Sequence, residues 1–538
     1  MGARRLVGLT VVAMLCAGAP AAKAVRLAPV DDYLAARLAS SADSAPVQVF
    51  VHGVDLRAGE AAAARSGLRI LGRFERIGAV LAIGSADQVR VARARRGVAF
   101  IEGDRPVRFG LDSTHLATNG EAARRGTRQT SGSDGTGVSV AVIDTGIDGT
   151  HPFFLDPEGV SKVVRNVRTI CPAVGNIVYN AVCFVDEAVR NDSDLLGLGG
   201  HGTHVAGIVA GYDVKTTRPR ALDLHGSAPG ASLVGVSVGV GPSMGSGVQG
   251  LNWVLANHAD PCGSKRCPPI RVVNNSWGPV GGSSFCPDCA ATKMQRQLVD
   301  EGVVVVWAAG NDGGDGSGKN SLGVNQDTSG YGKDPTPGVL MVASYDDKGT
   351  GTRDGALSSF SSRGIKGRPD TYPDISAPGS RVLSSCRPHL PLCDYFLGYD
   401  GPGPDDVFTF TEMSGTSMAA PHIAGIIAQL FRANPAATPA QVEWALVTTA
   451  YKFGSEYQGS RWGATTSFDK GHGLVDAAAA VRAISSRHLP ANDVLAPPPP
   501  NEPDDPEPPD AEPHTDVLDS RRRAPVSTRA PAAAVRAG

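Results

Sequence analysis

Features that would point to nucleic acid or a membrane are missing from this 538-residue sequence. Its 51 Lys and Arg residues are balanced by 53 Asp and Glu residues, which gives a formal net charge of −2. Such a balance supplies no basic field for nucleic acid and no polybasic patch for a lipid surface. Apolar runs of bilayer-spanning length are also missing. We therefore expect no nucleic-acid partner and no membrane span.

The N-terminus carries only a short apolar run. Leu6 to Leu15 follows Arg4 and Arg5, and small residues then lead to Ala-Lys-Ala at positions 22–24. A positive start, a short apolar core and such a cleavage site predict a signal peptide over residues 1–24 and hence a secreted, extracellular protein. The alternative is the start of a buried helix.

Cysteine is scarce, with nine residues, and Cys16 lies in the predicted signal peptide. An even number remains, which in an exported chain indicates disulfides. We expect near neighbours to pair, as in Cys171–Cys183 and Cys386–Cys393. The alternative for the four middle cysteines is a zinc site. These four are Cys262, Cys267, Cys286 and Cys289.

Residues 25–110 have the pattern of a small α+β domain. Alternating apolar positions indicate strands, an Ala-rich stretch and a Ser85 N-cap indicate helices, and the order is β-α-β-β-α-β. This is the split-βαβ, ferredoxin-like arrangement. The predicted elements are strand 47–51, helix 59–66, strands 68–74 and 77–83, helix 85–93 and strand 98–101.

Residues 111–486 alternate between short apolar strands and longer helical segments. This βαβα pattern predicts an α/β fold with a doubly wound, mostly parallel sheet. Sites in such sheets lie at the carboxyl ends of strands. Residues 487–538 are rich in Pro, Asp, Glu and Ala, and this composition predicts a disordered tail.

Three motifs carry residues suited to acyl transfer. Asp144 ends an apolar strand in Val-Ile-Asp-Thr-Gly, His201 begins a helix in Gly-His-Gly-Thr-His, and Ser417 begins another in Gly-Thr-Ser-Met-Ala. A serine hydroxyl needs a base to take its proton, imidazole can supply one near neutral pH, and a buried carboxylate can fix the imidazole tautomer. Each motif alone could be structural.

Taken together and in this order, the motifs resemble those of the subtilisin-like serine protease family over about residues 110–482. The resemblance implies a serine endopeptidase with Asp144, His201 and Ser417 as its catalytic triad. It also implies that Asn311 donates its side-chain amide to the oxyanion, with the Ser417 N–H as its partner. The alternative for Asn311 is a turn residue after a buried strand.

The same resemblance implies which residues line the substrate groove. Proteases commonly bind an extended peptide as an added strand. One side would be Ser276, Trp277 and Gly278, the opposite edge Gly245, Ser246 and Gly247, and Ala309 and Gly310 would precede Asn311. Gly330 would lie at the base of the first specificity pocket. No acidic residue is placed there, so we expect a preference for apolar or aromatic side chains.

The chemistry requires no redox or nucleotide cofactor, but the family commonly binds calcium. Candidate ligands are Asp312, Asp315 and Asn320 in a Gly-rich loop, or Asp156, although the spacing is not that of an EF-hand. His204 and His422 belong to the motifs, and we expect them to support packing rather than catalysis.

The α+β domain resembles the inhibitory propeptides of the family. Residues 98–104 resemble the last propeptide strand and its acidic turn, which implies autoprocessing near Phe109–Leu111 and an intramolecular inhibitor. The alternative is an ordinary interaction domain. We expect a monomer acting on polypeptides. The rival functions are an inert peptide-binding homologue and an esterase, although Ser417 lacks the G-x-S-x-G elbow.

Overall fold

The computed structural model describes most of the chain between residues 27 and 495. Several predicted features lie outside the described residues, namely the signal peptide, Cys16, the Cys171–Cys183 pair, the bond between Gly110 and Leu111, and the tail beyond residue 495. The described stretches are residues 27–104, 107–109, 117–169, 184–195, 198–218, 221–238, 244–279, 285–321, 330–348, 350–393 and 398–495.

Residues 27–104 form the α+β unit. Its strands are β1 (Pro46–Gly53), β2 (Arg69–Phe74), β3 (Ala79–Ser85) and β4 (Val98–Gly103), and its helices are α1 (Asp32–Ser40), α2 (Leu56–Arg65) and α3 (Ala86–Arg93). The strands form an antiparallel sheet in the order β2-β3-β1-β4, which confirms the ferredoxin-like prediction. Helix α1 was not predicted. Ser85 caps α3 in a capping box with Gln88, as expected.

The second sheet has nine strands and forms the centre of the larger unit. Its order is β12-β11-β10-β9-β5-β8-β6-β7, with β13 also pairing with β11. All pairs are parallel except β11 with β12 and β6 with β7, so the predicted doubly wound, mostly parallel sheet is confirmed. The strands are β5 (Ser139–Asp144), β6 (Val163–Thr169), β7 (Phe184–Glu187), β8 (Ser232–Ser237), β9 (Ile270–Asn275), β10 (Val304–Ala308), β11 (Val339–Asp346), β12 (Ala356–Leu357) and β13 (Ile375–Pro378).

Helices cover both faces of this sheet because alternate side chains of the buried strands point to opposite sides. In β5, Val140 and Val142 join the core that contains α5 and α8, whereas Ala141 and Ile143 join the core that contains α6 and α7. No helix in the described part of the chain is long and apolar enough to cross a membrane. The helices are α4 (Gly120–Arg125), α5 (His201–Ala210), α6 (Met244–Asn257), α7 (Ala290–Asp300), α8 (Thr416–Ala433), α9 (Pro439–Thr449), α10 (Ala477–Ile484) and α11 (Asn492–Leu495).

The α+β unit packs against the face formed by α6 and α7. Phe50, Phe74, Leu81 and Phe100 of the small unit belong to the same buried apolar cluster as residues of those two helices. Burial of apolar surface is the main favourable term in such association.

The predicted tail begins later than expected. Helix α11 (Asn492–Leu495) lies within the predicted tail segment 487–538, and its Leu495 is buried.

Three disulfides close short loops in the described residues. They join Cys262 to Cys267, Cys286 to Cys289, and Cys386 to Cys393. The last pair confirms the prediction. The zinc alternative for the four middle cysteines is wrong, because their sulfurs are covalently paired and cannot act as thiolate ligands.

Candidate active site

A carboxylate and an imidazole meet at the carboxyl end of the central strand. Asp144 is the last residue of β5, His201 is the first of α5, and both side chains are fully buried. His201 Nδ1 lies 2.7 Å from Asp144 Oδ1, which also accepts the Thr145 N–H at 2.8 Å. This carboxylate therefore holds Nδ1–H and fixes the ring in the orientation that a general base requires.

Small residues let the backbone of the His201 motif approach the segment after Asp144 closely. A Cβ atom on Gly202 would lie 2.2 Å from the Gly146 carbonyl oxygen, and Gly200 has φ +104°, a conformation that favours glycine. The Gly202 N–H donates to Thr145 Oγ1 at 2.8 Å. Thr145 was not singled out from the sequence, although its place directly after Asp144 was the available signal.

Ser417 is the second residue of α8 and is 2% exposed. Its hydroxyl donates to the Ser276 carbonyl at 2.9 Å, and the Ser276 hydroxyl donates to the Ser417 carbonyl at 2.8 Å. The structure therefore brings together Asp144 with His201, and Ser417 with the predicted groove residue Ser276.

Asn311 follows β10 and is anchored by the residue before Ser417. Its Oδ1 accepts the Thr416 N–H at 2.8 Å and the Thr416 hydroxyl at 3.1 Å. The Thr416 hydroxyl in turn accepts the Gly310 N–H at 3.0 Å. No residue in the described part of the chain accepts a hydrogen bond from Asn311 Nδ2. Thr416, which the motif did not single out, therefore fixes the acceptor side of the Asn311 amide and leaves its donor side available.

One side of the predicted groove is occupied by another segment of the chain. The short strand Val107–Phe109 pairs antiparallel with Trp277–Pro279, with Phe109 opposite Trp277 and Arg108 opposite Gly278. The Trp277 indole N–H donates to the Ile143 carbonyl at 2.8 Å, which fixes this side against β5. An extended segment thus binds where the resemblance expects a peptide to bind.

The other predicted edge has a different conformation. Gly245, Ser246 and Gly247 lie in the first turn of α6 and are buried, rather than forming an extended strand. A Cβ atom on Gly247 would lie 2.1 Å from the Trp277 ring, so glycine is needed for this close approach. Their contact with substrate stays a prediction, as does the pocket role of Gly330.

Two carboxylates of the α+β unit lie at the N-termini of α6 and α7. Asp104 accepts the Gly245 N–H, and Glu102 accepts the Ala290 N–H. Both helices have unpaired N–H groups and a partial positive charge at this end, so the carboxylates stabilise them. The acidic turn of the small unit therefore binds directly to the larger one.

Comparison with known proteins fits this geometry. A family model described as the subtilase family matches residues 135–476. The chain belongs to the subtilase family. The serine protease AprX of Bacillus subtilis strain 168 is 32% identical over 351 residues, covering 63% of this chain and 66% of that protein. The family expected from the motifs is thus confirmed, and its relatives are serine peptidases.

Other relatives of this subtilase are longer. Fervidolysin of Fervidobacterium pennivorans is 32% identical over 356 residues, which cover 65% of this chain but 41% of that protein. Alkaline serine exoprotease A of Vibrio alginolyticus is 32% identical over 321 residues, which cover 59% of this chain and 42% of that protein. The crystal structure of fervidolysin, described as a keratinolytic enzyme related to subtilisin, matches with a TM-score of 0.54 at 21% identity, covering 86% of this chain and 64% of that one. This likeness shows the shared fold.

Two further motif histidines of the subtilase are buried packing residues. His204 donates from Nε2 to the Val382 and Thr411 carbonyls, and His422 donates from Nδ1 to the Met418 carbonyl at 2.8 Å. Burial lowers the pKa of His204 to about 3 and that of His422 to about 4. Both rings are held by backbone carbonyls, which supports the expected packing role.

Acid should therefore destabilise the folded subtilase in part through His422. The unfolded chain takes up a proton near pH 6.5, whereas folded His422 does so only near pH 4, so stability falls as the pH drops through this window. We expect the free energy of unfolding of His422→Gln to fall by up to about 3 kcal/mol less than that of the parent between pH 7 and pH 4. Urea titrations at pH 7 and pH 4, in a Ser417→Ala background, measure it. The control is His488→Gln at an exposed site, and an unchanged pH dependence in His422→Gln would contradict the prediction.

Calcium does not fit the single three-residue cluster of possible metal ligands found among the described residues. Asp148, Asp192 and His389 have ligand atoms within 4.8 Å of one another. Arg387 lies 3.4 Å from Asp148 Oδ2, and His389 lies 2.9 Å from Asp192. Calcium prefers six or more oxygen ligands, whereas this cluster offers an imidazole and faces a guanidinium. The acidic candidates named from the sequence, Asp156, Asp312 and Asp315, belong to no such cluster in the described chain, and the role of Asn320 stays a prediction.

Proposed function

We propose that this subtilase is a secreted serine endopeptidase, made as a precursor, that hydrolyses peptide bonds through an acyl-enzyme intermediate. The proposal rests on the buried 2.7 Å hydrogen bond between His201 Nδ1 and Asp144 Oδ1. A carboxylate that holds Nδ1–H leaves Nε2 as the proton acceptor. The three disulfides of the described residues support export to an oxidising compartment.

In the first step, His201 acts as the base for the Ser417 hydroxyl. The Ser417 proton goes to His201 Nε2 while the Ser417 oxygen bonds to the substrate carbonyl carbon. The π electron pair of that carbonyl moves onto the carbonyl oxygen, which becomes the oxyanion. Asn311 Nδ2 and the Ser417 N–H donate to this oxyanion. His201 then returns the proton to the leaving amine as the C–N bond breaks, and water releases the acyl group by the same route.

The α+β unit acts as an inhibitory propeptide in this proposal. The strand Val107–Phe109 pairs with Trp277–Pro279 and thereby blocks the side of the groove that substrate would use. Trp277, the last printed partner of this strand, directly follows Ser276, whose carbonyl accepts the Ser417 hydroxyl. In this proposal the chain is cut during processing near Phe109–Leu111.

A fluorophosphonate probe tests the peptidase activity against its two rivals. The processed protein should cleave casein, lose that activity on labelling, and carry the label on Ser417 when its peptides are mapped. Casein left intact while small esters are hydrolysed would favour the esterase. An unlabelled protein that binds peptides without cleaving them would be the inert homologue.

The propeptide should be released faster when its two capping carboxylates lose their charge. Charge-assisted hydrogen bonds are about twice as strong as neutral ones, so we expect the Glu102→Gln/Asp104→Asn chain to shorten the lag before full activity about tenfold or more. The lag is followed with a chromogenic peptide after processing. The matched control is Glu60→Gln, since Glu60 pairs with Arg73 within the same unit. An unchanged lag in the double variant would count against inhibition through these caps.

A further inference from the structure

The loop closed by the Cys386–Cys393 disulfide, called here the disulfide loop, packs directly against the residue before His201. Both cysteines are buried, at 0% and 2% exposure. Cys386 Sγ lies 3.9 Å from the Gly200 carbonyl oxygen. A Cβ atom on Gly200 would lie 2.4 Å from Cys393 Sγ and 3.3 Å from Leu390 Cβ. The sulfurs therefore form part of the surface on which the start of α5 rests.

Hydrogen bonds connect the same loop to the backbone on both sides of His201. The Leu392 N–H donates to the Gly199 carbonyl at 2.8 Å. The hydroxyl of Ser385, directly before the loop, donates to the Thr203 carbonyl at 2.9 Å. Gly199 and Gly200 have no side chains of their own, so packing by neighbours must restrict their conformation.

The disulfide loop also reaches the segment that follows Asp144. Arg387 donates to the hydroxyl and the carbonyl of Thr150, at 2.9 and 3.0 Å. It also lies 3.4 Å from the buried carboxylate of Asp148. One short covalent ring thus contacts both chain segments that form the Asp144–His201 pair.

We propose that the Cys386–Cys393 disulfide is a positioning element for His201. This inference rests on the proposed function. Without the bond, the two ends of the loop separate, the support under Gly200 is lost, and His201 takes up its productive position less often. A displacement of about 1 Å can cost about 100-fold in rate. Among the described residues, no backbone hydrogen bond joins the loop to the groove residues Ser276 to Gly278. We therefore expect a loss in kcat rather than a rise in KM.

The test compares two double variants of the full chain, each lacking one local disulfide. Cys386→Ala/Cys393→Ala should lower kcat about 10- to 100-fold on a peptide substrate, with KM within about twofold, and should shift the acidic limb of the kcat/KM profile that reports His201. The matched control is Cys262→Ala/Cys267→Ala, which should keep kcat and the profile of the parent. Rates are normalised by active-site titration. Parent-like kinetics in the first variant, or equal losses in both, would overturn the proposal.

Reduction of the parent enzyme decides the question if the first variant does not fold. A dithiol transfers two electrons and two protons to the bond, giving two thiols and the oxidised, cyclic reagent. Activity should fall in step with the appearance of thiols at Cys386 and Cys393, which peptide mapping detects. Activity should return on reoxidation. Full activity with this bond reduced would refute the inference. A parent enzyme without fluorophosphonate-sensitive cleavage would instead refute the proposed function.

Discussion

The Ser417→Ala chain should accumulate as an uncut precursor and should cleave peptides about a million times more slowly than the parent. In the proposed mechanism this change removes the nucleophile and leaves His201 no hydroxyl to activate, so the residual rate comes from binding and the oxyanion donors alone. The α+β unit should remain joined to the larger unit, because in the proposed mechanism the same serine cuts the chain near Phe109–Leu111. Intact mass, N-terminal sequencing and kcat on a chromogenic peptide measure the two effects.

A nearby serine provides the control for this substitution. Ser414 directly precedes the Gly-Thr-Ser-Met-Ala motif, and its hydroxyl accepts the Arg381 N–H at 3.2 Å. Ser414→Ala removes a hydroxyl of the same kind without touching the nucleophile, so processing and kcat should stay within a few-fold of the parent. If Ser417→Ala is still trimmed near residue 110 with no other protease present, autoprocessing is wrong. If it still cleaves casein at the parental rate, Ser417 is not the nucleophile.

The buried part of the fold could be predicted because its signals are local. Val140 to Ile143 is a continuous apolar run ending in a polar residue, and α8 combines small and apolar residues over five turns. Such segments bury nearly all their side chains, so their apolar composition identifies them in the sequence. The Asp144 and His201 motifs lie at the ends of these elements, which is why the pair could be inferred before the structure was known.

The edge of the sheet was missed because its strands are not apolar. In β6, Arg165, Asn166 and Arg168 interrupt the pattern, and the strand is held by pairing with β8 and β7 instead. The side chains of Arg165 and Arg168 bond to Asp186 and Glu187 of β7. Cross-strand pairs of this kind depend on residues distant in sequence, so no local window reveals them.

The groove residues Gly245 to Gly247 show the same difficulty inside a functional motif. The resemblance implies an edge of the substrate groove here, and glycine is a weak helix former, so local propensity does not favour a helix start at these residues. In the folded chain, the carboxylate of Asp104 binds the Gly245 N–H and the Trp277 ring packs on Gly247, and these contacts support the first turn of α6. Tertiary packing therefore overrides the local preference, and the contacts involved come from two distant segments.

Replacing Asn311 by alanine should lower kcat about 10²- to 10³-fold and leave KM nearly unchanged. Its Nδ2 would donate to a charge that exists only in the transition state, so its loss raises the barrier by about 3 kcal/mol without weakening the bound substrate. Yet alanine also removes Oδ1, which accepts the N–H and the hydroxyl of Thr416 next to the nucleophile. A loss of activity in this variant alone could therefore come from a displaced Ser417.

Asn311→Asp separates these two causes, because aspartate keeps an acceptor for Thr416 and lacks the donor. If the amide acts on the oxyanion, the aspartate variant should lose at least as much kcat as the alanine variant, since its negative charge opposes the developing one, while fluorophosphonate labelling still marks Ser417. If Asn311 only positions Thr416, the aspartate variant should retain kcat near the parental value, because the anchoring hydrogen bonds remain. The values of kcat and KM for both variants would decide between donation to the oxyanion and support of the nucleophile. The melting temperature of each variant would report whether the start of α8 is destabilised.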